Sequence, residues 1–445
     1  GYPAALGGSP MTTNFFPKKL TPVEGTVQSS LRLATPQVSR VLERCLNGQD
    51  LTAQEIVHLF QTQANDTKAL FLAADFLRSQ TLGDVVSYVV NRNINFTNVC
   101  IKRCGFCAFS RTASSLEGYY LPLEEIVRRT LEAQRFGASE VCIQAGLPPG
   151  MKGDYYIQLC RAVKEASPRI HIHAFSPEEI LYGSKQSQLT IREYLKELKD
   201  AGIGSLPGTS AEILDDDLRN RISPGRINTT QWIEVVTTAH SLDIPTSSTL
   251  MYGHVETPLH CAKHLILLRD LQRHSGGFTE FVPLSFIHAE APMFANSMEG
   301  IRGGATEMEV LKMHAVARLV LNQDIPNIQT SWVKQGLKLS QACLECGAND
   351  LGGTLMNESI STAAGAPHGQ FVRPRDLRRC IRDIGRIPVL RSTVYDVLCR
   401  FDRPEDDPEE PLDRVDVQEN TPFGSYHQLI QLDQFRFTSK DTAPF

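Results

Sequence analysis

The chain has 445 residues and a formal net charge of −5, from 45 basic and 50 acidic side chains. Such mild acidity offers no electrostatic footprint for nucleic acid, and no apolar stretch approaches the roughly 20 residues needed to span a bilayer. A hydrophobic content of 41% is ordinary for a soluble globular protein with a real core. The first twenty residues, GYPAALGGSPMTTNFFPKKL, lack the basic and apolar regions of a secretory signal. Eleven cysteines without such a signal argue against a disulfide framework and for a reducing cytoplasm.

Residues 1–34 read as a flexible N-terminal segment, with a Gly/Pro/Ser-rich decapeptide ahead of Met11. Residues 35–90 read as helices. Val38, Val41, Leu42 and Cys45 recur at helical spacing, Asn47-Gly48 interrupts, and further helices carry Ile56, Leu59 and Phe60, then Leu70, Phe71, Ala74 and Leu77. From residue 93 a regular alternation begins. Short β-prone runs fall near 93–98, 139–145, 170–174, 203–207, 246–251, 279–285, 327–331 and 347–351. Helical patterns lie near 122–136, 154–166, 190–201, 228–241, 258–273, 306–322, 333–343 and 375–386. In the first of these, Leu123, Ile126, Val127, Thr130 and Leu131 define the apolar face, and Gly137 ends the helix. Eight strand–helix units predict an α/β fold, a closed (β/α)8 barrel of the TIM type over 91–390. An extension over 391–445 follows. Its acid- and proline-rich start, FDRPEDDPEEPLDRVD, reads as a solvated linker. Phe423, Tyr426, Leu429, Leu432, Phe435 and Phe437 then suit either docking back on the barrel or a disordered end.

In such a barrel function collects in the loops after each strand. After the first comes Cys100, Cys104 and Cys107, spaced C-x3-C-x2-C within NINFTNVCIKRCGFCAFS. Three crowded thiols with no fourth nearby suit an iron–sulfur cube that leaves one iron open. A structural zinc or spectator thiols are the alternatives, though zinc sites usually pair C-x2-C knuckles with a fourth ligand. Phe106 would shield a cluster from water. The later loops offer Gln144-Ala145-Gly146; His173, Ser176, Glu178 and Glu179; Pro207 to Glu212; Tyr252, His254 and Glu256; His288 and Glu290; and Asp350 with Gly352-Gly353. Several have plain structural readings as well. Glu212 suits a helix N-terminus, His173 suits a satisfied core position in IHIHAF, and Asp350 suits a tight turn. Cys343 and Cys346 form one C-x2-C pair, half of a second cluster or a redox pair, with no companion pair in sequence.

The cysteine run after the first strand resembles the radical S-adenosylmethionine (SAM) superfamily. VVNRNINFTNVCIKRCGFCAFS, AHSLDIPTSSTLMYGHVET and ANDLGGTLMNESIS resemble the FO synthase group, in particular its CofH-type second component, from about residue 35 to 390. The resemblance implies a [4Fe–4S] cluster on Cys100, Cys104 and Cys107, with SAM chelating the open iron. Reductive cleavage of SAM then gives methionine and a 5′-deoxyadenosyl radical. It implies SAM contacts from Gln144, Ala145, Gly146, Glu212, Tyr252, His254 and Glu256, and substrate contacts from His173, Glu178, His288 and Asp350. The superfamily usually carries paired glycines where this chain has Ala145-Gly146, which backbone contact tolerates if φ stays negative.

By the same resemblance the substrates are L-tyrosine and 5-amino-6-(D-ribitylamino)uracil. A 4-hydroxybenzyl fragment passes to the uracil and 2-iminoacetate is lost. A CofG-type first component of FO synthase takes the product onward, and flavodoxin or ferredoxin supplies the electron. The rival readings are the menaquinone-pathway relatives, aminofutalosine synthase or dehypoxanthine futalosine cyclase. A non-catalytic metal-binding protein is a reading from a different class.

Overall fold

The computed structural model describes residues 21–416 and 422–441. Nine strands are assigned among them: β1 (Val85–Val89), β2 (Asn91–Ile94), β3 (Glu140–Ile143), β4 (His171–Ala174), β5 (Thr246–Tyr252), β6 (Phe278–Ser285), β7 (Asp350–Gly353), β8 (Ile387–Arg391) and β9 (Val397–Arg400). β1 and β2 are one strand interrupted at Val90. Its upper half pairs in parallel with β3, through Asn91 opposite Glu140 and Asn93 opposite Cys142, and β3 pairs with β4. The fourth and seventh staves are single-bridge strands. Ser205 and Leu206 link β4 to β5, while Ile328 and Gln329 link β6 to β7. β7 returns to β1 through Ser87 opposite Asp350, which closes the barrel.

The alternation of side chains along these strands is inverted from that of a packed barrel. Val141, Ile143 and Ile172 are buried toward the outer helices. Asn91, Asn93, Glu140, Cys142 and His173 point inward and line a cavity. The centre is therefore open, with a polar wall from these strands and an apolar one that includes Val89, Val282, Leu284 and Leu351.

The first strand starts earlier than the run at 93–98. Residues 95–98 leave the ladder because their side chains serve the backbone instead. Asn95 donates to Gln144 O (2.9 Å), Thr97 to Tyr119 O (2.6 Å) and Asn98 to Glu117 O (3.0 Å). β8 was not legible in the sequence. It pairs in parallel with the lower half of β1 and brings Arg391 beneath the barrel. There Arg391 forms a two-pronged ion pair with the fully buried Asp350, one contact at 2.9 Å, and lies over the Tyr395 ring at 4.0 Å.

The helix expected at 122–136 spans Leu123–Arg135, but its buried face is Ile126, Arg129, Thr130, Glu132 and Ala133. Leu131 is 37% exposed. A helix at Pro177–Ser187, closed by a Ser176/Glu179 capping box, precedes the expected one at 190–201.

Two expectations about the chain's flanks are corrected, and a third is decided between its alternatives. The N-terminal segment expected to be flexible carries a helix, Thr21–Leu33, that buries Val27 and Leu31; residues 1–20, Met11 included, lie outside the described residues. The acidic stretch is not a solvated linker. Asp407, Glu410 and Asp413 converge on Arg378 at 2.9, 3.0 and 3.3 Å, and the last two are buried. Beyond it the tail docks. Phe423, Tyr426, Leu429 and Phe437 are buried, and backbone bonds from Tyr120 N to Phe435 O (2.8 Å) and from Phe437 N to Gly118 O (2.9 Å) fasten it beside the cysteine loop. Among the described residues no helix is long and apolar enough to cross a membrane.

Removing one partner of a buried ion pair strands the other charge in a poor solvent. Arg391→Ala should therefore cost on the order of 3–5 kcal/mol in equilibrium urea unfolding. An unchanged midpoint would show that Asp350 needs no counter-charge.

Candidate active site

A cavity of about 380 Å³ extends from the cysteine loop down into the barrel. Cys100, Cys104 and Cys107 all line it. The loop is held from three sides. Gly105 donates its N–H to Ile222 O (2.7 Å) and accepts at its carbonyl from Met293 N (2.7 Å). Gly146 abuts the loop so closely that an added Cβ would lie 2.4 Å from Val99 O and 3.1 Å from the Cys100 Cβ. Asn98 supports it from below, accepting from Tyr119 N at 2.9 Å.

Burial raises the Cys100 thiol and pushes Cys104 up to about 12. Arg226 opposes both shifts. Its guanidinium lies over the Phe106 ring at 5.2 Å and donates to Glu212 (2.8 Å) and Ser210 Oγ (3.0 Å). Glu178 stands 3.7 Å from Arg226 and 3.5 Å from Lys102, and accepts from Ile227 N at 2.6 Å. Buried thiols beside a fixed cation fit a metal centre, because metal binding requires the thiolate form that burial alone disfavours. Among the described residues no three His, Cys, Asp or Glu side chains stand as ligands of a single ion. Three thiolates that each take a different iron of a cube need not converge on one point.

The turn after β3 is fixed by Glu179. Its carboxylate accepts from Ala145 N (3.0 Å), Ser176 N (2.7 Å) and Ser176 Oγ (2.7 Å). Burial pushes this carboxyl up to about 7 against those bonds. Ala145 keeps a negative φ, so the alanine in place of glycine causes no backbone strain.

Of the residues singled out in the sequence, Gln144, Ala145, Gly146, His173, Glu178 and Glu212 line the cavity with the cysteines. Tyr252, His254, Glu256, His288 and Asp350 do not. His254 is fully buried and bonds Met251 O (2.8 Å), while Glu256 accepts from Gly253 N (2.7 Å), His254 N (2.8 Å) and Arg302 (2.9 Å). This loop braces itself. Tyr252 is buried behind the wall, His288 packs edge-on against Phe294 with ring centres 4.6 Å apart, and Asp350 is the partner of Arg391. Cys343 and Cys346 are buried with their thiols pushed up, which suits packing rather than redox chemistry.

The sequence did not single out Arg226, Lys334 or Glu358, which also line the cavity. Glu358 accepts from Ser361 N with both oxygens, and its carboxyl is raised by burial against the pull of Lys334. A lone arginine in SPGRINTT and a lysine at a helix start carry no periodic signal.

Residues 94–268 match the family model of the radical SAM superfamily, and residues 275–403 match that of the CofH/MqnC C-terminal region. A 5-amino-6-(D-ribitylamino)uracil–L-tyrosine 4-hydroxyphenyl transferase of Methanothermobacter thermautotrophicus is 46% identical over 359 residues, 81% of this chain and 97% of that protein. The chain belongs to this family of radical SAM transferases. A like-named protein of Archaeoglobus fulgidus is 47% identical over 74% of this chain and 93% of its own. The radical SAM fold is seen again in the FeFe-hydrogenase maturase HydG from Carboxydothermus hydrogenoformans, with a TM-score of 0.62 at 15% identity over 84% of each chain. Methylornithine synthase (PylB) gives 0.57 at 17% identity, over 83% of this chain and 92% of its own. The cofactors of a radical SAM protein are a [4Fe–4S] cluster and SAM, and three thiols at the mouth of one cavity are a donor set that fits them.

Two outcomes follow from this geometry. Arg226→Gln should weaken cluster retention by about tenfold or more, as loss of an outer-shell partner does at metal sites, while Arg226→Lys retains most of it. Iron analysis after gel filtration reads the difference. Glu179 has a folded-state value above its unfolded one, so its stabilising contribution is present at low pH and fades as pH rises from about 4.5 to about 7. Glu179→Gln should therefore flatten that stretch of the stability–pH curve, measured by urea midpoints at pH 5 and pH 7.

Proposed function

We propose that this protein transfers the 4-hydroxybenzyl group of L-tyrosine to 5-amino-6-(D-ribitylamino)uracil, releasing 2-iminoacetate, methionine and 5′-deoxyadenosine. The observation that carries the reading is the identity of 46% across 97% of a relative bearing that transferase name. When bound, the cluster and SAM together supply a carbon radical able to take hydrogen from tyrosine. The chain's own part is to hold, orient and enclose. Cys100, Cys104 and Cys107 would hold the cluster, with Phe106 lining the cavity beside them. Gln144 to Gly146 and Glu212, which line the same cavity, would contact SAM. Lys102, Arg226 and Lys334 are the cations at the mouth of the cavity, set among Glu178, Glu212 and Glu358, and they are the groups able to meet the carboxylates of SAM and tyrosine. The strands wall the inner part of the cavity, where a radical has fewer stray hydrogen donors within reach.

The product carries an aryl group on an aminouracil and still needs its third ring closed, the step suited to a CofG-type partner. A flavodoxin or ferredoxin supplies the electron, and the free thiols suit the reducing cytoplasm. The C-terminal family description also covers a menaquinone-branch enzyme, so the assay must tell the two apart.

Anaerobically reconstituted protein should convert tyrosine, the diaminouracil, SAM and reductant into 5′-deoxyadenosine and a hydroxybenzyl–uracil adduct, identified by mass spectrometry. Deoxyadenosine without adduct would remove the substrate assignment. Cys104→Ala should abolish both the cluster's visible absorbance and SAM cleavage; metal analysis finding zinc and no iron in wild-type protein would remove the radical chemistry altogether.

A further inference from the structure

The two ends of the cavity differ in how their charges are placed. Its mouth, beside the cysteines, carries Lys102, Arg226 and Lys334 together with Glu178, Glu179, Glu212 and Glu358. Its interior, enclosed by the strands, carries Glu140 and Glu280 with a single cation, Arg391. That cation is already taken. It is paired with Asp350, stands 3.6 Å from Glu280 and stacks on Tyr395. Glu140 is likewise occupied, accepting from Asn91 (2.9 Å) and Thr393 (2.7 Å). The barrel interior thus has no spare positive charge for a carboxylate, whereas at the mouth Lys102, Arg226 and Lys334 alternate with Glu178, Glu212 and Glu358.

Two interior groups are left over. Asn93 Oδ1 is buried with no hydrogen-bond partner among the described residues. The side-chain amide of Gln329 lines the same space, held near Gly352, where an added Cβ would lie 2.6 Å from its Nε2. It makes no hydrogen bond to the described residues. The buried, unmet oxygen of Asn93 is costly unless a ligand meets it, and the Gln329 amide is free to join it. Each amide both donates and accepts, which is what a hydroxyl group requires of its partner. Asn93 rises from the first stave and Gln329 from the seventh, with β7 between them, so their backbones are about 10 Å apart by strand spacing.

We infer that the barrel interior binds the acyclic polyol chain of the uracil substrate, with the side-chain amides of Asn93 and Gln329 meeting its hydroxyls. The inference rests on the function proposed above and assigns the ends of its two substrates. The phenol of tyrosine offers one neutral hydroxyl; the ribityl chain offers several, spaced along five carbons. Tyrosine's carboxylate belongs at the mouth, beside those cations and close to where the radical forms. The uracil ring then lies between, with its chain directed down the barrel.

The test uses Asn93→Ala and Gln329→Ala in reconstituted holoenzyme, with two uracils: the ribityl substrate and its 6-methylamino analogue, which lacks the polyol. Each variant should raise KM for the ribityl substrate roughly three- to tenfold, the loss of about one hydrogen bond. KM for tyrosine and for the analogue should stay at the wild-type value. Iron content and cluster absorbance confirm that the site is intact, and calorimetric binding of the ribityl substrate gives the answer where turnover is lost. Equal changes for both uracils, or a rise confined to tyrosine, would overturn the inference and place the phenol in the interior. Failure of the underlying reading looks different: wild-type enzyme forms no adduct with either uracil, and both claims fall.

Discussion

A barrel that keeps its centre open and partly polar must satisfy its buried charges from within, and that constraint organises the molecule. The Arg391–Asp350 pair meets it at the base. Around it, Glu140 is held by Asn91 and Thr393, and Glu280 accepts from the Tyr395 hydroxyl. Arg391, Thr393 and Tyr395 all come from the segment that enters after the eighth helix. The strand that looks like an appendage to the barrel therefore supplies the groups that let the interior stay hollow. Without them the inward carboxylates would face one another in a low-dielectric space.

The mouth obeys a related rule. A loop that carries three thiols cannot be stabilised by packing its own side chains, since those must remain free for metal. Its rigidity is borrowed. Gly105 is clasped by Ile222 and Met293, Gly146 allows the neighbouring turn to press against Val99, and Glu179 locks that turn by its amide. Arg226 ties the thiols electrostatically to Glu212 and Glu178. Asn95, Thr97 and Asn98 serve this loop and not the strand to which the sequence pattern assigned them.

Much of this was legible from sequence and some was not, for physical reasons. The cysteine spacing, the alternation of strands and helices and the loop positions of Gln144 to Gly146 follow from short-range patterns. His254 and Glu256 sit after the fifth strand as a site residue should, yet they satisfy the backbone of their own loop, and Tyr252, which ends that strand, is buried behind the wall. Such local bonds leave no trace in composition. Asp350 has the same ambiguity, resolved only by an arginine forty-one positions later. The acidic run after 401 looked solvated because its partners, Arg378 and Arg382, lie on a helix outside the run.

The tail that fastens to Gly118 and Tyr120 also has a meaning in the order of synthesis. The ribosome makes the cysteine loop early and its clasp, residues 435–437, far later. The strands between them must fold first, so the support beside the thiols is completed only when the barrel has closed.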